Sequence, residues 1–307
     1  MSETQSSPGS TTPAPADIAV LITVYHKITD SHLDAALRSI AAQTLPPQQV
    51  IVVADGPLTA SLNDVLRRWE QHYAELPTHF LIHRLEFNSG AGVASQAGLQ
   101  LVETTWTARL DADDIALPER LEKQLRYATL RRLDVVGTAL AEFDAEAVEK
   151  GANPEEALFG VRRLPEEHEH ILAYARWNCP VNHPSVLLRT EAARAVGGYR
   201  EIRGMEDYDL WVRMLSAGAR FGNMPEPLTL FRAGFAMLER RADPAVIRQE
   251  WHMQTTLMDN GLVNRPRAIL NVILRTGFRL LPLPLLRRIY VLLFHRPGRD
   301  HHAGGIA

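Results

Sequence analysis

The protein has 307 residues and a mass of 34.3 kDa, which allows one large domain or two small ones. Its composition, 46% hydrophobic and 22% charged, is that of a globular chain with a sizeable core and excludes wholesale disorder. The single cysteine, Cys179, excludes an intramolecular disulfide framework and a zinc cluster built on cysteines, and it fits a reducing compartment. We interpret this thiol as a buried structural side chain, with a nucleophile as the alternative.

The net charge of −3 hides an uneven distribution of charge along the chain. Residues 261–307 contain eight arginines and one acid, a net charge of +7, whereas the other 260 residues contain 25 basic and 35 acidic side chains, a net charge of −10. An acidic body does not suit a nucleic-acid-binding protein, whose affinity depends on neutralising phosphates. The basic C-terminal segment needs a separate explanation.

The chain starts with residues 1–16, which are rich in Ser, Thr, Pro, Gly and Ala and are expected to form a disordered tail. They lack the pattern of a secretory signal, which favours a cytoplasmic location. Buried apolar runs then alternate with stretches of helical periodicity, and this alternation predicts βαβ units in a parallel sheet with helices on both faces. Strands are predicted at 18–24, 50–54, 80–85, 107–110, 135–140 and 185–189, and helices near 31–45, 60–76, 90–103, 166–176 and 206–217.

The most informative segment follows the predicted strand 107–110 and contains Asp111, Asp113 and Asp114. Three carboxylates in four positions repel one another unless a cation or a partner lies among them. Oxygen ligands suit Mg²⁺ or Mn²⁺ rather than zinc, although a solvated acidic loop is the simpler alternative. Ligands of open α/β sheets bind beyond the carboxyl ends of the strands, which favours the functional interpretation.

A second acidic pair, Glu206 and Asp207, falls at the start of the predicted helix 206–217. Anionic side chains stabilise the first turn of a helix, so capping is one interpretation. The other is that Asp207 points into the cleft as a general base.

Two classes of nucleotide enzyme are disfavoured by what the sequence lacks. No Gly-x-x-x-x-Gly-Lys-[Ser/Thr] loop is present, which argues against a P-loop NTPase. The glycines of residues 88–92 lack the dinucleotide spacing and follow the third strand rather than the first, which argues against a dehydrogenase.

Together these motifs resemble the inverting glycosyltransferases of family 2, which have the GT-A nucleotide-diphospho-sugar transferase fold. The similarity covers about residues 18–235 and is to bacterial transferases of capsule and exopolysaccharide assembly, including the amylovoran type. The matching motifs are Thr23-Val-Tyr25, Asp55-Gly56, Arg109-Leu-Asp111-Ala-Asp113-Asp114, Asn182-His183-Pro184-Ser185, Gly197-Gly198-Tyr199, Glu206-Asp207-Tyr208 and Phe231-Arg232-Ala233-Gly234. The resemblance implies an α/β fold with a mostly parallel central sheet, a transferase domain over 17–235 and a helical, basic extension over 236–307.

The resemblance also implies a binding site for a nucleotide-diphospho-sugar, with a UDP-sugar as the expected donor. Thr23 and Tyr25 would hold the nucleobase, and Asp55 would accept a hydrogen bond from the uracil ring. Asp111 would lie near the ribose, and Asp113 would bind the Mn²⁺ or Mg²⁺ that bridges the diphosphate. Without the resemblance, Asp55-Gly56 would be read as turn chemistry alone.

For the chemical step, the resemblance implies that Asp207 removes the proton from the acceptor hydroxyl during a single, inverting displacement. His183 either reaches the metal or acceptor or is a hydrogen-bonded structural side chain. Asp114 is expected beside the metal rather than on it, and Glu206 is expected to orient Asp207 or Arg213. The Gln-x-x-Arg-Trp motif of processive synthases is absent, so repeated addition of one sugar is not expected.

The basic C-terminus is rich in Leu and Ile over residues 268–294, but arginines interrupt it before it reaches the roughly 18–20 residues that span a bilayer. Such a segment suits the interface of an anionic membrane, or it packs on the transferase domain with its arginines solvated. Membrane association at the inner face of the plasma membrane would suit a glycan or polyprenyl-linked acceptor.

The expected function is therefore a metal-dependent inverting glycosyltransferase of cell-surface polysaccharide synthesis. One alternative is a nucleotidyltransferase, which the small number of lysines disfavours, since only Lys27, Lys123 and Lys150 are present. The other is a catalytically silent scaffold that binds sugar nucleotides, which the acidic residues Asp113 and Asp207 argue against.

Overall fold

The computed structural model describes residues 14–202, 204–233 and 245–279. Nine strands within these ranges form one sheet. The strands are β1 (Ala16–Val24), β2 (Pro47–Ala54), β3 (His79–Arg84), β4 (Trp106–Asp111), β5 (Ile115–Ala116), β6 (Val135–Asp144), β7 (Leu158–Arg162), β8 (Leu187–Arg189) and β9 (Phe221–Ala233). Their order across the sheet is β3-β2-β1-β4-β8-β6-β9-β5, and β7 pairs with β6 outside this path.

Ten α-helices and the short 3-10 helix His183–Ser185 lie within the same ranges. The α-helices are α1 (Asp30–Ala41), α2 (Ala60–Tyr73), α3 (Ala91–Leu101), α4 (Arg120–Arg131), α5 (Ala145–Glu149), α6 (His168–Ala175), α7 (Thr190–Ala195), α8 (Glu206–Ser216), α9 (Ala245–Asp259) and α10 (Arg265–Arg279). The helices and strands predicted from periodicity are all present, with ends that differ by a few residues. Residues 1–13 of the predicted tail lie outside the described residues. Its last residue, Ala16, begins β1.

The first half of the sheet is parallel, and its strands β1, β2 and β4 are largely buried, as the continuous apolar runs predict, whereas the edge strand β3 is half-buried. Residues 18–22 of β1 are at most 1% exposed. Ile18, Val20 and Ile22 pack on the side of α1 and α2, and Ala19 and Leu21 pack on the side of α3. Because β1 is parallel to both β2 and β4, the carboxyl ends of these strands meet at one edge.

The second half of the sheet mixes parallel and antiparallel strands. β8 is antiparallel to both β4 and β6, whereas β9 is parallel to β6. The register between β6 and β9 shifts twice near Pro227 because a proline cannot donate a ladder hydrogen bond. The expected parallel sheet is therefore confirmed for the half that carries the candidate site.

The C-terminal helix α9 packs against α8, and α10 packs against α9. Met253 and Leu257 of α9 are fully buried against Tyr208 and Val212 of α8. Within the described residues, no helix is both long and apolar enough to cross a bilayer. The rest of the predicted extension, residues 236–244 and 280–307, lies outside the described residues.

Candidate active site

The edge where β1 and β4 end is organised around one buried arginine. Thr23 of β1 lies opposite Asp111 of β4 in the parallel register. The guanidinium of Arg109, which is only 1% exposed, donates to the carbonyl of Leu21 at 2.7 Å, to Oγ1 of Thr23 at 3.4 Å and to Oδ1 of Asp111 at 3.2 Å. The predicted residues Thr23 and Asp111 are thus brought together, and Arg109 balances the charge of Asp111.

A second buried arginine, Arg120, contacts the backbone of Arg109. Arg120, also 1% exposed, donates to the carbonyls of Arg109 at 2.6 Å and Val186 at 3.3 Å. Burial, together with the neighbouring charge of Arg109, lowers the pKa of Arg120 to about 9, while Asp114 and Asp111 oppose this shift. Two guanidinium groups therefore lie under the acidic loop and offset part of its negative charge.

The acidic loop after β4 turns tightly, since the amide of Asp114 donates to the carbonyl of Asp111 at 3.2 Å. Asp114 is buried, and its Oδ1 accepts from the backbone amide of Arg232 on β9 at 2.9 Å. Its Oδ2 has no hydrogen-bond partner among the described residues. Burial and the charges of Asp113 and Asp111 raise the pKa of Asp114 well above its usual value. Asp114 therefore ties the loop to β9, and its expected place beside a metal stays a prediction.

The loop suits a divalent cation held together with substrate phosphates. No cage of three or more His, Cys, Asp or Glu side chains is preformed in the part of the chain that the structure describes. The side chain of Asp111 is 37% exposed and Asp113 is half-buried, so both residues are partly accessible to a ligand. Mg²⁺ and Mn²⁺ are commonly held by one or two carboxylates plus phosphate oxygens. Burial and the charge of Asp113 raise the pKa of Asp111, and a bound cation would relieve this repulsion.

Asp55, which follows β2, holds the loop that leads into α3. Its Oδ1 accepts from the amide of Ser89 at 2.7 Å and its Oδ2 from the amide of Gly90 at 3.0 Å. The next residue, Gly56, has a φ of +81°, and a Cβ there would lie 2.6 Å from the amide nitrogen of Asn88. Asp55 therefore lies at the predicted carboxyl edge of the sheet. It also stabilises the loop before α3, a role that the sequence did not reveal. Its contact with a nucleobase stays a prediction.

Tyr25 lies one residue beyond β1, at the same carboxyl edge of the sheet as Asp55. It is half-buried, and its ring meets that of His26 edge to face at 5.7 Å between centroids. A half-buried tyrosine offers a flat apolar surface with one polar end, which suits contact with a base. Its predicted role is compatible with this position and stays a prediction.

The proposed base, Asp207, lies in the first turn of α8, beside the start of α3. A Cβ on Gly92 of α3 would lie 3.1 Å from Cβ of Glu206, so the absence of a side chain lets the two helix ends meet. Oδ1 of Asp207 accepts from the amide of Tyr208 at 2.7 Å, and its Oδ2 accepts from the thiol of Cys179 at 3.4 Å. Asp207 is thus fixed by neighbours on two elements.

The acidic pair on α8 and the acidic loop after β4 affect one another electrostatically. Burial, with Asp207 nearby, raises the pKa of Glu206 to about 7, and burial raises the pKa of Asp207. Asp111 contributes to both shifts. Two acidic motifs almost a hundred residues apart in the sequence therefore lie within electrostatic reach of one another, and their joint role in catalysis stays a prediction.

His183 belongs to a hydrogen-bonded group between the two motifs. Its Nε2 lies 3.0 Å from the hydroxyl of Tyr199 and 3.4 Å from Nε of Arg109. Burial and the charge of Arg109 lower the pKa of His183 well below its usual value, so the ring is neutral at physiological pH. These contacts favour the structural interpretation of His183 over the ligand interpretation, and its role stays a prediction.

The loop that carries Tyr199 is held from two sides. Oε1 of Gln96 accepts from the amide of Tyr199 at 2.7 Å. Arg213 donates to the carbonyls of Val196 at 2.6 Å and Gly198 at 2.7 Å, and it forms a buried ion pair with Asp209 at 2.5 Å. The carboxylate that orients Arg213 is therefore Asp209, whereas the sequence suggested Glu206.

Two further residues at the site were not singled out for it by the sequence. Nε of Arg232 donates to the carbonyl of Asp113 at 3.1 Å, and its guanidinium lies over the ring of Phe143 at 4.8 Å. The other is Cys179, whose thiol has its pKa raised well above the usual value by burial and by Asp207. Such a thiol is protonated and unreactive, which favours the structural interpretation. Only the folded chain could reveal these roles, because both depend on partners distant in sequence.

A half-parallel α/β sheet with an acidic loop after β4 and an acidic helix start facing it defines a GT-A nucleotide-diphospho-sugar transferase fold. The sequence profile of glycosyl transferase family 2 matches residues 19–197 of the chain. The protein therefore belongs to glycosyl transferase family 2, and it is a glycosyltransferase.

Similar proteins agree with this assignment. The chain is 34% identical over 276 residues to the amylovoran biosynthesis glycosyltransferase AmsE of Erwinia amylovora, a match that covers 89% of this chain and 97% of that protein. It is 28% identical over 279 residues to the UDP-Gal:alpha-D-GlcNAc-diphosphoundecaprenol beta-1,3-galactosyltransferase of Escherichia coli, covering 91% and 96% of the two chains.

Two solved structures share the fold at much lower identity. The TarS 1-349 structure from S. aureus, in complex with UDP-GlcNAc, has a TM-score of 0.60 at 15% identity, covering 90% of this chain and 75% of that one. The mannosyltransferase PcManGT from Pyrobaculum calidifontis, in complex with GDP-Man and Mn²⁺, has a TM-score of 0.60 at 14% identity, covering 92% and 77%. At this identity the likeness shows the fold, and it confirms the predicted architecture.

Proposed function

We propose that this protein is a metal-dependent, inverting glycosyltransferase that uses a nucleotide-diphospho-sugar, most simply a UDP-sugar. Its acceptor would be a hydroxyl of a glycan or lipid-linked saccharide in cell-surface polysaccharide synthesis. The observation that carries the proposal is the set of contacts between the two acidic motifs. Arg109 donates to Asp111 at 3.2 Å and to His183 at 3.4 Å, and Cys179, four residues before His183, donates to Asp207 at 3.4 Å. The names of the relatives from Erwinia amylovora and Escherichia coli support the pathway, the UDP-sugar and the lipid-linked acceptor.

The donor would bind along the carboxyl edge of β1, β2 and β4. Tyr25 and Thr23 would contact the nucleobase, Asp55 would accept from its ring N–H, and Asp111 would lie near the ribose. Asp113 would hold Mn²⁺ or Mg²⁺ together with the diphosphate. When bound, the cation would neutralise charge on the departing nucleoside diphosphate.

Asp207 would act on the acceptor at the other side of the cleft. One of its oxygens would take the proton of the acceptor hydroxyl while that hydroxyl oxygen attacks the anomeric carbon. The bond between this carbon and the diphosphate oxygen breaks as the new glycosidic bond forms, and the nucleoside diphosphate leaves with the electron pair. Attack from the face opposite the leaving group inverts the anomeric configuration.

A lipid-linked acceptor would place the reaction at the cytoplasmic face of the plasma membrane, with the basic C-terminal segment near the bilayer. A carrier lipid keeps its diphosphate and first sugars at the membrane surface. An enzyme without a spanning helix in its described residues would then meet this acceptor from the cytoplasm.

The experiment that tests the donor site is a thermal-shift panel of UDP, GDP, ADP and dTDP, each with and without Mn²⁺. A ligand that binds only the folded state stabilises it by about 2.7 kcal/mol at 100 times its Kd. We expect a metal-dependent shift with UDP and none with ADP. A shift with GDP or dTDP instead would change the donor class. No shift with any nucleotide would overturn the proposed donor site and favour a silent scaffold.

A further inference from the structure

The C-terminal hairpin of α9 and α10 has its polar side chains inside. Asn271 on α10 and Gln254 and Glu250 on α9 are all fully buried. The amide of Asn271 donates to Oε1 of Gln254 at 2.9 Å, and the amide of Gln254 donates to Oε1 of Glu250 at 3.1 Å. Arg275 completes this polar seam, with its Nε 2.7 Å from the same oxygen of Glu250.

The arginines of α10 are also drawn toward the protein. Arg275 donates from Nη1 to the carbonyl of Trp177 at 2.5 Å, and its side chain is only 19% exposed. The guanidinium of Arg267 lies over the ring of Trp177 at 3.5 Å. The sequence suggested that such arginines would face solvent or lipid headgroups. Among the three arginines of α10 whose side chains the structure describes, Arg265 at the first position is exposed, whereas Arg267 and Arg275 are half-buried.

The opposite side of α10 is apolar and uncovered in the described structure. Its large side chains, called here the outer face of α10, are Ile269, Leu270, Ile273 and Leu274, which are 51%, 44%, 62% and 49% exposed. Their spacing places them on one side of the helix. A helix on the surface of a globular protein normally shows water its polar side and buries its apolar side. The arrangement in α10 is the reverse, which indicates that an apolar environment covers its outer face.

The charge around this face decides between the possible environments. Residues 261–307, which include α10, carry a net charge of +7. A second copy meeting the outer face would bring two such segments together, and their repulsion opposes this contact. An anionic lipid surface attracts the same segment while its hydrocarbon boundary accepts the aliphatic side chains.

We propose that the outer face of α10 is a docking surface for an anionic membrane leaflet. The docking itself is independent of the donor chemistry, but its purpose rests on the proposed lipid-linked acceptor. α10 is joined by the polar seam to α9, and α9 packs on α8, whose first turn carries Asp207. Docking through α10 therefore gives the cleft a defined orientation toward an acceptor at the membrane surface.

The test is co-sedimentation of the full chain with vesicles of phosphatidylcholine alone or mixed with phosphatidylglycerol. The variant combines Ile269→Gln with Ile273→Gln, because glutamine keeps helix propensity while removing apolar surface. The matched control is Leu130→Gln on α4, a 73% exposed leucine away from α10. We expect the wild type and the control to bind the anionic vesicles. We expect the double variant to lose binding by about tenfold or more, since it removes two inserted aliphatic side chains.

Four results would overturn the proposal. The first is a wild type that binds neither kind of vesicle, and the second is a double variant that binds as well as the wild type. The third is a lipid-free dimer that the double variant converts to a monomer in light scattering, which would assign the face to a second copy. The fourth is a lower unfolding midpoint for the double variant than for the control without lipid, which would assign the face to the chain's own C-terminal segment.

The outcome is separable from that of the donor proposal, because the nucleotide panel needs no lipid. If UDP and Mn²⁺ raise the unfolding midpoint but the protein does not bind vesicles, only the docking proposal is refuted. If the protein binds vesicles through α10 but no nucleotide raises its unfolding midpoint, only the proposed donor site is refuted.

Discussion

The thiol of Cys179 donates a hydrogen bond to Oδ2 of Asp207, with 3.4 Å between sulfur and oxygen. The backbone amide of Tyr208 donates to the other oxygen at 2.7 Å. Both donors favour the ionised carboxylate, whereas burial, together with the charge of Asp111, favours the protonated one. The proposed base is therefore held between two opposing effects, and Cys179 is a positioning residue whose hydrogen bond helps to keep it ionised.

Removing this donor should change the pH dependence of the reaction. Cys179→Ala deletes a hydrogen bond that lowers the pKa of Asp207, so the acidic limb of kcat/KM should move to higher pH. Glu206, Asp111 and Tyr199 also face this carboxylate and stay unchanged in the variant. Cys179→Ser, which restores a donor of similar size, should return the limb toward its original position. If the pH profiles of kcat/KM coincide for Cys179→Ala and Cys179→Ser, the hydrogen bond from Cys179 does not set the pKa of Asp207.

Asp207→Asn tests the base itself. The amide keeps the shape of the side chain but cannot take a proton, so turnover should fall by about 10²–10⁴-fold. The UDP and Mn²⁺ thermal shift should stay at the wild-type value, because the variant leaves the donor edge intact. Asp259→Asn at the exposed end of α9 is the control and should change neither quantity. Surviving turnover in Asp207→Asn would mean that another group is the base.

Replacing Asp113 or Asp114 by asparagine, which has the same shape, should have different effects on metal binding. Asp113→Asn removes the carboxylate that would hold the cation, so the Mn²⁺-dependent part of the UDP shift should disappear. Asp114→Asn keeps an oxygen that can accept from the amide of Arg232, so the fold and the metal response should both survive. Calorimetric titration of Mn²⁺ in the presence of UDP measures the difference. Equal losses of Mn²⁺ affinity in the two variants would show that Asp114 is also a metal ligand.

Glu206 should make the folded protein less stable as the pH rises. Its pKa is raised from 4.5 to about 7, mainly by burial, so the folded state holds a proton that the unfolded state releases between these values. The free energy of unfolding therefore falls as the pH rises through this window, and the penalty persists above it. Glu206→Gln should be more stable than the wild type at pH 8, in urea unfolding, and similar to it near pH 4.5. A wild-type advantage at pH 8 would contradict this assignment.

The sequence predicted those parts of the fold whose residues are buried on both faces. β1 and β2 are continuous apolar runs, and such runs have few structural alternatives. β9 escaped prediction because Pro225 and Pro227 interrupt its pattern, and its long pairing with β6 compensates for them. The carboxylates of the site were identifiable because they follow strands or begin a helix, which are positions that the local pattern reveals.

What the sequence could not supply was the choice of partner for each polar side chain. Asp55 holds two backbone amides of the loop before α3, and Asp209 rather than Glu206 holds Arg213. The arginines of α10 show the same limit. The sequence suggested either a segment at a membrane interface or helices packed on the domain with solvated arginines. In the structure, Asn271, Gln254 and Glu250 form an internal polar seam that Arg275 joins.

The pair of Asp209 and Arg213 offers the sharpest test of how the active-site loop is supported. The side chains are 0% and 5% exposed, and Arg213 uses its remaining donors on the carbonyls of Val196 and Gly198. Asp209→Ala leaves a buried guanidinium without its counter-ion, so the free energy of unfolding should fall by about 3–5 kcal/mol. The exposed pair of Asp64 and Arg67 is the matched control.

Removing the exposed carboxylate with Asp64→Ala should cost less than about 1 kcal/mol, because water already screens that pair. Urea unfolding of the two variants beside the wild type measures both values. Because Gly198 precedes Tyr199, whose hydroxyl contacts His183, Asp209→Ala should also weaken catalysis at temperatures where the protein is still folded. Equal destabilisation in the two variants would show that burial does not govern the strength of this pair, and that Arg213 finds other partners when Asp209 is lost.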